Sequence, residues 1–279
     1  MGILNVTPDS FSERGAYFDC RAAIARGLEM EHEGADILDI GGESTRPGAI
    51  PVEEQEELER TIPVIETLRR KGLRIPISID TYKASVAERA LRAGAEIVND
   101  VSGLRKDARM ASVVGDRRAA IIFMHMRGTP LTMQHLPPVR NILPAIRQGW
   151  QVSIRKALRA GISSQQIVLD PGLGFGKTAE QNFQILAGLS SLARLGYPLL
   201  VGPSRKSFIR KWFFGEVHKK ETVPAARKRF SGKELVPEEL LWGTAAVVAA
   251  AILNGAHIVR VHDVRQMVAV ARIADRLVG

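Results

Sequence analysis

The chain contains one cysteine, few aromatic residues and no long apolar run. Cys20 is the only cysteine in 279 residues, so no disulfide can form within the chain, which fits a reducing cytoplasm. With three Trp and three Tyr, the sequence offers no row of rings on which nucleic-acid bases could stack. No run of about 18 apolar residues occurs, and the first residues do not resemble a secretion signal. A cytoplasmic protein without nucleic-acid or membrane partners is predicted.

The positive charge of the chain is concentrated in one segment. The net charge is +9, and residues 210–233 contain eight Lys or Arg against two Glu. This segment is interpreted either as a solvated loop or as a flap that attracts anions to a nearby site. Both interpretations stay open at this point.

A glycine-rich stretch at 169–178, L-D-P-G-L-G-F-G-K-T, superficially resembles a phosphate-binding loop. A P-loop requires a Gly at the position of Pro171, which has a fixed φ and no N–H to donate. The dinucleotide-binding pattern also fails, because Lys177 stands where its third Gly is required. The glycines are therefore expected to serve another ligand.

Short apolar runs alternate with longer helical patterns, which predicts parallel strands joined by helices. The strands are predicted at 2–6, 36–40, 76–80, 95–99, 119–124, 166–170, 197–201 and 257–261. The helices are predicted at 20–33, 53–71, 83–93, 107–115, 140–160, 179–194, 238–254 and 264–278. A Gly follows several of these helices, as expected for a C-cap.

Eight repeats of this kind predict an α/β fold, namely a single-domain (β/α)8 TIM barrel over residues 1–279. A doubly wound open sheet is the alternative, but no linker or second domain divides the chain. The basic segment 210–233 is predicted to be a long loop after strand 7, since a usual βα connection has only a few residues.

The predicted strands end in polar residues, and a TIM barrel carries its chemistry at those ends. Asp80, Asn99 and Asp170 follow strands 3, 4 and 6, and such groups suit a flat heterocycle with several N–H donors and acceptors. Arg46, Arg260 and His262 form a cationic set that suits phosphate oxygens. One mouth is therefore expected to hold both a polar ring and a phosphate.

Structural interpretations compete with these functional ones. Asp170 precedes Pro-Gly and could simply cap a turn, and Asp80 could cap the next helix. His125 is more simply a packed strand-end residue, and Lys177 an exposed loop residue. The glutamates of the second helix are interpreted as its solvated face: Glu53, Glu54, Glu56, Glu57 and Glu59.

Several long motifs, in order over residues 1–265, resemble those of the dihydropteroate synthase family. They are M-G-I-L-N-V-T-P-D-S-F-S (1–12), G-G-E-S-T-R-P-G (41–48), S-I-D-T (78–81), N-D-V-S (99–102), M-H-M (124–126), D-P-G-L-G-F-G-K (170–177), S-R-K-S (204–207) and R-V-H-D (260–263). The resemblance implies a homodimeric, sulfonamide-sensitive transferase of folate biosynthesis that uses Mg²⁺. It would join 6-hydroxymethyl-7,8-dihydropterin diphosphate to 4-aminobenzoate, with release of diphosphate.

The resemblance also implies residue roles. Catalytic roles fall on Asp80, Asp170, Lys206, Arg260 and His262. Pterin contacts are implied for Asp80, Asn99, Met126, Asp170 and Lys206. Aminobenzoate contacts are implied for Thr45, Pro47, Phe175, Lys206 and Ser207. Diphosphate contacts are implied for Arg46, Arg260 and His262, and Asn5 would help to bind the Mg²⁺.

Two alternatives remain beside this family. A pterin-binding methyltransferase would share the Asp and Asn set but would not need the 204–207 or 260–262 motifs. A non-catalytic barrel that binds anions or nucleic acid is suggested by the sequence pI of about 10.0. A mouth equipped for both a ring and a diphosphate argues against that second alternative.

Overall fold

Eight short parallel strands alternate with helices, as predicted. The computed structural model describes residues 1–7, 16–45, 48–133, 135–213 and 237–278. The strands are β1 (Gly2–Asn5), β2 (Leu38–Gly41), β3 (Ile77–Asp80), β4 (Ile97–Asp100), β5 (Ala120–Met124), β6 (Ile167–Asp170), β7 (Leu200–Val201) and β8 (Ile258–Val259). Each overlaps its predicted range, because short runs of Ile, Val and Leu suit strands that are buried on both faces.

Ten α-helices are described around these strands, and a short 3-10 helix, Ser164–Gln166, precedes β6. The α-helices are α1 (Ala16–His32), α2 (Glu54–Arg70), α3 (Ala84–Ala93), α4 (Met110–Arg117), α5 (Ile142–Arg159), α6 (Ala179–Ala187), α7 (Leu189–Ala193), α8 (Ser207–Phe213), α9 (Pro237–Leu253) and α10 (Val264–Val278). The helix predicted at 179–194 is divided at Gly188, where an added Cβ would lie 2.4 Å from the Leu143 side chain. None of the described helices is long and apolar enough to cross a membrane.

The prediction of a loop starting at residue 210 is wrong for its first residues, which belong to α8. Arg210 and Lys211 make the sequence of α8 look like part of a basic loop, but they are exposed, and the helix buries Phe208 on its apolar face. The Phe183 ring of α6 lies 5.4 Å from the Phe208 ring and 5.1 Å from the Trp212 ring, measured between centroids. The remainder of the basic segment, 214–233, lies outside the described residues, so both interpretations of it remain predictions.

Hydrogen bonds close the strands into a ring. Strands β1 to β6 form one parallel sheet in chain order, and β7 pairs with β8. A bridge between Leu169 and Leu199 joins β6 to β7, and a bridge between Gly2 and Val261 joins β8 to β1. The second junction is sealed by the Ile3 N–H, which donates to the Val261 carbonyl at 2.9 Å. The predicted closed barrel is therefore favoured over an open sheet.

An apolar layer fills the amino-terminal half of the barrel interior. Its members come from seven of the eight strands or their edges and pack as one cluster: Met1, Ile37, Ile97, Ile122, Val168, Leu200 and Ile258. The interior is thus a packed core at this level, and the helices cover the outside of the strands with a second, larger cluster.

Candidate functional site

A polar layer lies directly above the apolar one, toward the carboxyl ends of the strands. Side chains two residues apart on a strand share a face, so the next inward-facing positions follow from the apolar layer. These positions are Ile3, Asp39, Asn99, Met124, Asp170, Gly202 and Arg260, of which four carry polar side chains. Because Asp80 is paired in register with Gly41 and Asn99, it faces inward as well. The predicted residues Asp80, Asn99, Asp170 and Arg260 are therefore brought together.

Arg260 connects opposite parts of this layer. Its Nε donates to Asp39 Oδ2 at 2.6 Å, and its Nη2 donates to Asp80 Oδ2 at 2.7 Å. Asn99 Nδ2 donates to the same Asp39 oxygen at 3.1 Å. Burial opposes the charge of Arg260, but the two carboxylates raise its pKa and keep it charged. Arg260 is thus held rigidly, and it is a partner of carboxylates as well as a candidate anion ligand.

Asp39 is a site residue that the sequence reasoning missed. It is fully buried in the middle of the apolar strand β2. A carboxylate in such a strand is costly without a cation, and this cost was the available signal. Its position, two residues before the inward-facing Gly41, places it beneath the mouth.

Three buried acceptor oxygens in the polar layer have no hydrogen-bond partner among the described residues. They are Asp39 Oδ1, Asp80 Oδ1 and Asn99 Oδ1. Burial raises the pKa of Asp80 to about 7, against the lowering effect of Arg260. The Asp80 and Asn99 side chains line a narrow recess that also contains Asp170 and Lys206. Unpaired buried acceptors at this recess indicate a ligand with N–H donors.

Asp170 combines the two roles considered for it. Its Oδ1 accepts the Gly172 N–H at 2.6 Å, so it does cap the turn. Its side chain also lines the recess, and burial raises its pKa. Gly172 has φ +68° and lies so close to the His125 carbonyl that an added Cβ would be 2.2 Å from that oxygen. The glycines of the 169–178 stretch therefore allow the chain to turn tightly behind Asp170.

Lys206 and Phe175 form one wall of the mouth. The Lys206 ammonium lies 4.1 Å from the centroid of the Phe175 ring, a cation–π distance. Burial, and then the charge of Arg260, lower the pKa of Lys206 to about 8. This wall offers an apolar face and a cation next to each other.

The mouth itself is a cavity of about 490 Å³. The predicted site residues that line it are Asn5, Thr45, Asp80, Phe175, Lys206, Ser207, Arg260 and His262. His262 Nδ1 lies 2.9 Å from Ser204 Oγ, which orients the imidazole ring. Arg46 and Pro47 lie outside the described residues, so their predicted contacts remain predictions.

Met126 is placed beside this cavity rather than on its described wall. It is buried in a small cluster with Val101, Met124, Met133 and Phe175. Met124, two residues earlier and facing inward, lines the recess instead. The thioether of Met124 is thus better placed than that of Met126 to pack on a flat ring.

Of three structural interpretations made from the sequence, those of Lys177 and Glu57 are wrong and that of His125 agrees with the structure. Lys177 is not an exposed loop residue, because its half-buried ammonium donates to the His125 carbonyl at 2.8 Å and the Phe175 carbonyl at 3.1 Å. Glu57 is not on a solvated face, since it is 1% exposed and pairs with Lys83. His125 is packed against Gly149, as expected, and burial lowers its pKa to about 2.

The donor set suits Mg²⁺ only if a ligand brings most of the coordinating oxygens. Among the described residues, no group of three His, Cys, Asp or Glu could hold a metal ion. Asn5 lines the cavity, and its side chain carries an amide oxygen, a type of ligand that Mg²⁺ accepts. Mg²⁺ commonly keeps several waters and binds through substrate phosphates with few protein ligands. The residues present therefore fit an ion carried by a diphosphate.

Comparison with known families assigns the class. The family model described as "Pterin binding enzyme" matches residues 1–262. The chain belongs to this pterin-binding enzyme family.

Within that family, the proteins to which the chain is similar include dihydropteroate synthases. The chain is 48% identical over 277 residues to the dihydropteroate synthase of Synechocystis sp., covering 99% of this chain and 89% of the relative. It superposes with a TM-score of 0.86 and 45% identity on the Clostridium difficile enzyme crystallised in the presence of pteroic acid, covering 99% and 95% of the two chains. For the Xanthomonas albilineans dihydropteroate synthase with 4-aminobenzoic acid, the TM-score is 0.85 and the identity 39%, covering 99% of this chain and 91% of that chain.

Proposed function

We propose that this protein is a dihydropteroate synthase, which condenses 6-hydroxymethyl-7,8-dihydropterin diphosphate with 4-aminobenzoate to give 7,8-dihydropteroate and diphosphate. The observation that carries the proposal is the polar layer of the barrel. It combines unpaired acceptors at Asp80 and Asn99 with the cations Lys206 and Arg260 and the imidazole of His262 in one mouth. The names of the relatives support the same reaction.

The pterin ring is assigned to the recess. Asp170, Asn99 and Asp80 present oxygens to the N–H groups of the ring, and each bond adds discrimination against analogues that lack it. Lys206 lies at the junction between the recess and the larger cavity, since it lines both. It can therefore contact the pterin while the Phe175 face receives the ring of aminobenzoate, with Thr45 and Ser207 nearby.

The diphosphate is assigned to the opposite side of the mouth, at Asn5, Arg260 and His262. There the cations stabilise the charge that develops on the leaving group. When bound, Mg²⁺ supplies further neutralisation of the diphosphate, with Asn5 as the protein ligand. A cytoplasmic location, predicted from the single cysteine, and a homodimer, implied by the resemblance, remain predictions.

The reaction proposed is a dissociative, SN1-like substitution. The C–O bond between the pterin methylene and the diphosphate breaks, and its electron pair leaves on the diphosphate. The buried Asp170 carboxylate stabilises the positive charge on the pterin. The aminobenzoate nitrogen then forms the new C–N bond and loses a proton, without a covalent enzyme intermediate. Isolation of a pterin covalently attached to the protein would contradict this order of events.

The direct test is an assay for dihydropteroate formation from the two substrates with Mg²⁺. Product that depends on both substrates is expected. Absence of turnover together with absence of pterin diphosphate binding would refute the proposal.

A further inference from the structure

A buried charge cluster beside the mouth takes no part in the roles assigned so far. Lys83, just before α3, donates to Glu43 Oε2 at 2.7 Å and to Glu57 Oε2 at 2.5 Å. The Glu57 side chain is 1% exposed and that of Glu43 7%. The Tyr82 hydroxyl donates to Glu43 Oε1 at 2.8 Å. Two buried carboxylates around one ammonium are expensive to maintain, which calls for a specific reason.

The cluster contacts both ends of the segment that connects β2 to α2, of which residues 43–45 and 48–52 are described. At the first end, Glu43 binds Lys83 through its side chain. At the second end, the Val52 carbonyl accepts from Lys83 Nζ at 2.6 Å. The Val52 N–H also donates to Glu43 Oε2 at 3.0 Å, which joins the two ends to each other. One ammonium therefore binds residues at both ends of this segment and keeps the two ends together.

Packing beneath the segment is tight as well. An added Cβ at Gly42 would lie 2.8 Å from Thr61 Cγ2, and the Gly42 carbonyl accepts from Arg60 Nη1 at 2.7 Å. Farther along, the Gly48 N–H donates to the Pro130 carbonyl at 3.2 Å. Thr45, which lies between these anchors, lines both the cavity and the recess.

We propose that Lys83 is a positioning residue for the aminobenzoate half of the reaction. By tying Glu43 and Val52 to the start of α3, its ammonium fixes the Thr45-bearing segment against the cavity. This inference rests on the proposed function for the reaction, but the tether itself does not depend on it. Two carboxylates outweigh burial and raise the pKa of Lys83, so the tether stays charged near neutral pH.

The principal experiment is the Lys83→Met variant, in which two quantities are measured: the Michaelis constant for aminobenzoate, and the affinity for 6-hydroxymethyl-7,8-dihydropterin (the pterin alcohol) without aminobenzoate. We expect the Michaelis constant to rise about tenfold, the value of one lost hydrogen bond to a charged group. The affinity for this pterin alcohol should stay within about twofold, because the residues assigned to the ring lie on other strands. An unchanged Michaelis constant would overturn the proposal. Lys106→Met is the matched control, since the Lys106 ammonium faces the same Tyr82 ring at 5.2 Å from its centroid.

A second variant separates positioning from stability. Lys83→Met with Glu57→Gln removes one charge of each sign, so the net buried charge equals that of the original cluster, and Glu43 on the cavity wall is untouched. The midpoint of thermal unfolding should recover in this variant while the Michaelis constant for aminobenzoate stays raised. Recovery of that constant as well would show that Lys83 acts only through stability.

Hydrogen exchange tests the tether without any assay of turnover. The amides of residues 43–45, 48–50 and 52 should exchange faster in Lys83→Met than in the unsubstituted protein or in Lys106→Met. Unchanged exchange would overturn the tether. If the unsubstituted protein formed no dihydropteroate, the proposed function would fail, and exchange would still decide whether Lys83 holds the segment.

Discussion

The two layers inside the barrel lie two residues apart along the same strands, yet the lower one is built from apolar side chains and the upper one contains carboxylates, an amide and a guanidinium. Ile97, Ile122 and Val168 pack in the lower layer, whereas Asn99, Met124 and Asp170 occupy the next inward positions above them. The lower layer buries apolar surface and stabilises the ring of strands. The upper layer buries carboxylates, which cost stability unless they are paired. The position of a side chain along a strand therefore decides whether it serves folding or binding.

Arg260 offsets the free-energy cost of burying carboxylates in the upper layer, since it pairs with both Asp39 and Asp80. Arg260→Ala should lower the free energy of unfolding by about 3–5 kcal/mol, because two buried carboxylates lose their partner. It should also weaken binding of pterin diphosphate more than binding of the pterin alcohol. Denaturant unfolding and calorimetric titration with the two ligands measure these effects. Equal weakening for both ligands would mean that Arg260 does not face the diphosphate.

Asp170→Asn should reduce kcat/KM on the order of a hundredfold, because a charged acceptor for the ring is lost. The affinity for the pterin alcohol should fall as well, since the effect does not need the diphosphate. Steady-state kinetics and titration provide the measurement. If the variant lost affinity for aminobenzoate alone, the assignment of Asp170 to the pterin ring would be wrong.

Binding of pterin diphosphate is expected to depend on pH through Lys206. Its pKa in the free protein is lowered to about 8, so raising the pH through that value removes a positive charge from the mouth. The affinity for the anionic pterin diphosphate should therefore fall by up to about tenfold per pH unit above pH 8. Lys206→Arg should remove this fall, because arginine stays charged. The same fall in Lys206→Arg would assign the pH dependence to another group.

Ile122→Val tests the lower layer and should have the smallest effect. Removing one methylene group from this fully packed site should cost about 0.5–1.5 kcal/mol of stability. The Michaelis constants for both substrates should be unchanged, since the side chain lies beneath the recess. A raised value for the pterin substrate would show that the layers are not separable.

The sequence predicts the architecture and most of the mouth because two simple rules apply. Short apolar runs between helices define strands, and polar residues at the strand ends share one rim. These rules are enough to find Asp80, Asn99, Asp170 and Arg260. The helix boundaries also follow from local signals, such as Gly94, which ends α3 with φ 114°.

What the sequence does not reveal are pairings between distant residues. Asp39 is 221 positions from the guanidinium that neutralises it. Glu57 resembles its exposed neighbours on α2 until Lys83, from another loop, is placed against it. Lys177 resembles a solvated lysine because its partners are backbone carbonyls, which leave no trace in residue identities. These contacts arise only when the chain folds, and the pair of Asp39 and Arg260 also requires the ring to close.

A crystal structure of the complex with pterin diphosphate is the most direct test of the upper layer as the substrate site. The account predicts the pterin ring in the recess, with its N–H groups within hydrogen-bonding distance of Asp170 and Asn99, and the diphosphate beside Asn5 and His262. A ring bound outside the recess, or a diphosphate bound on the Phe175 wall, would contradict it.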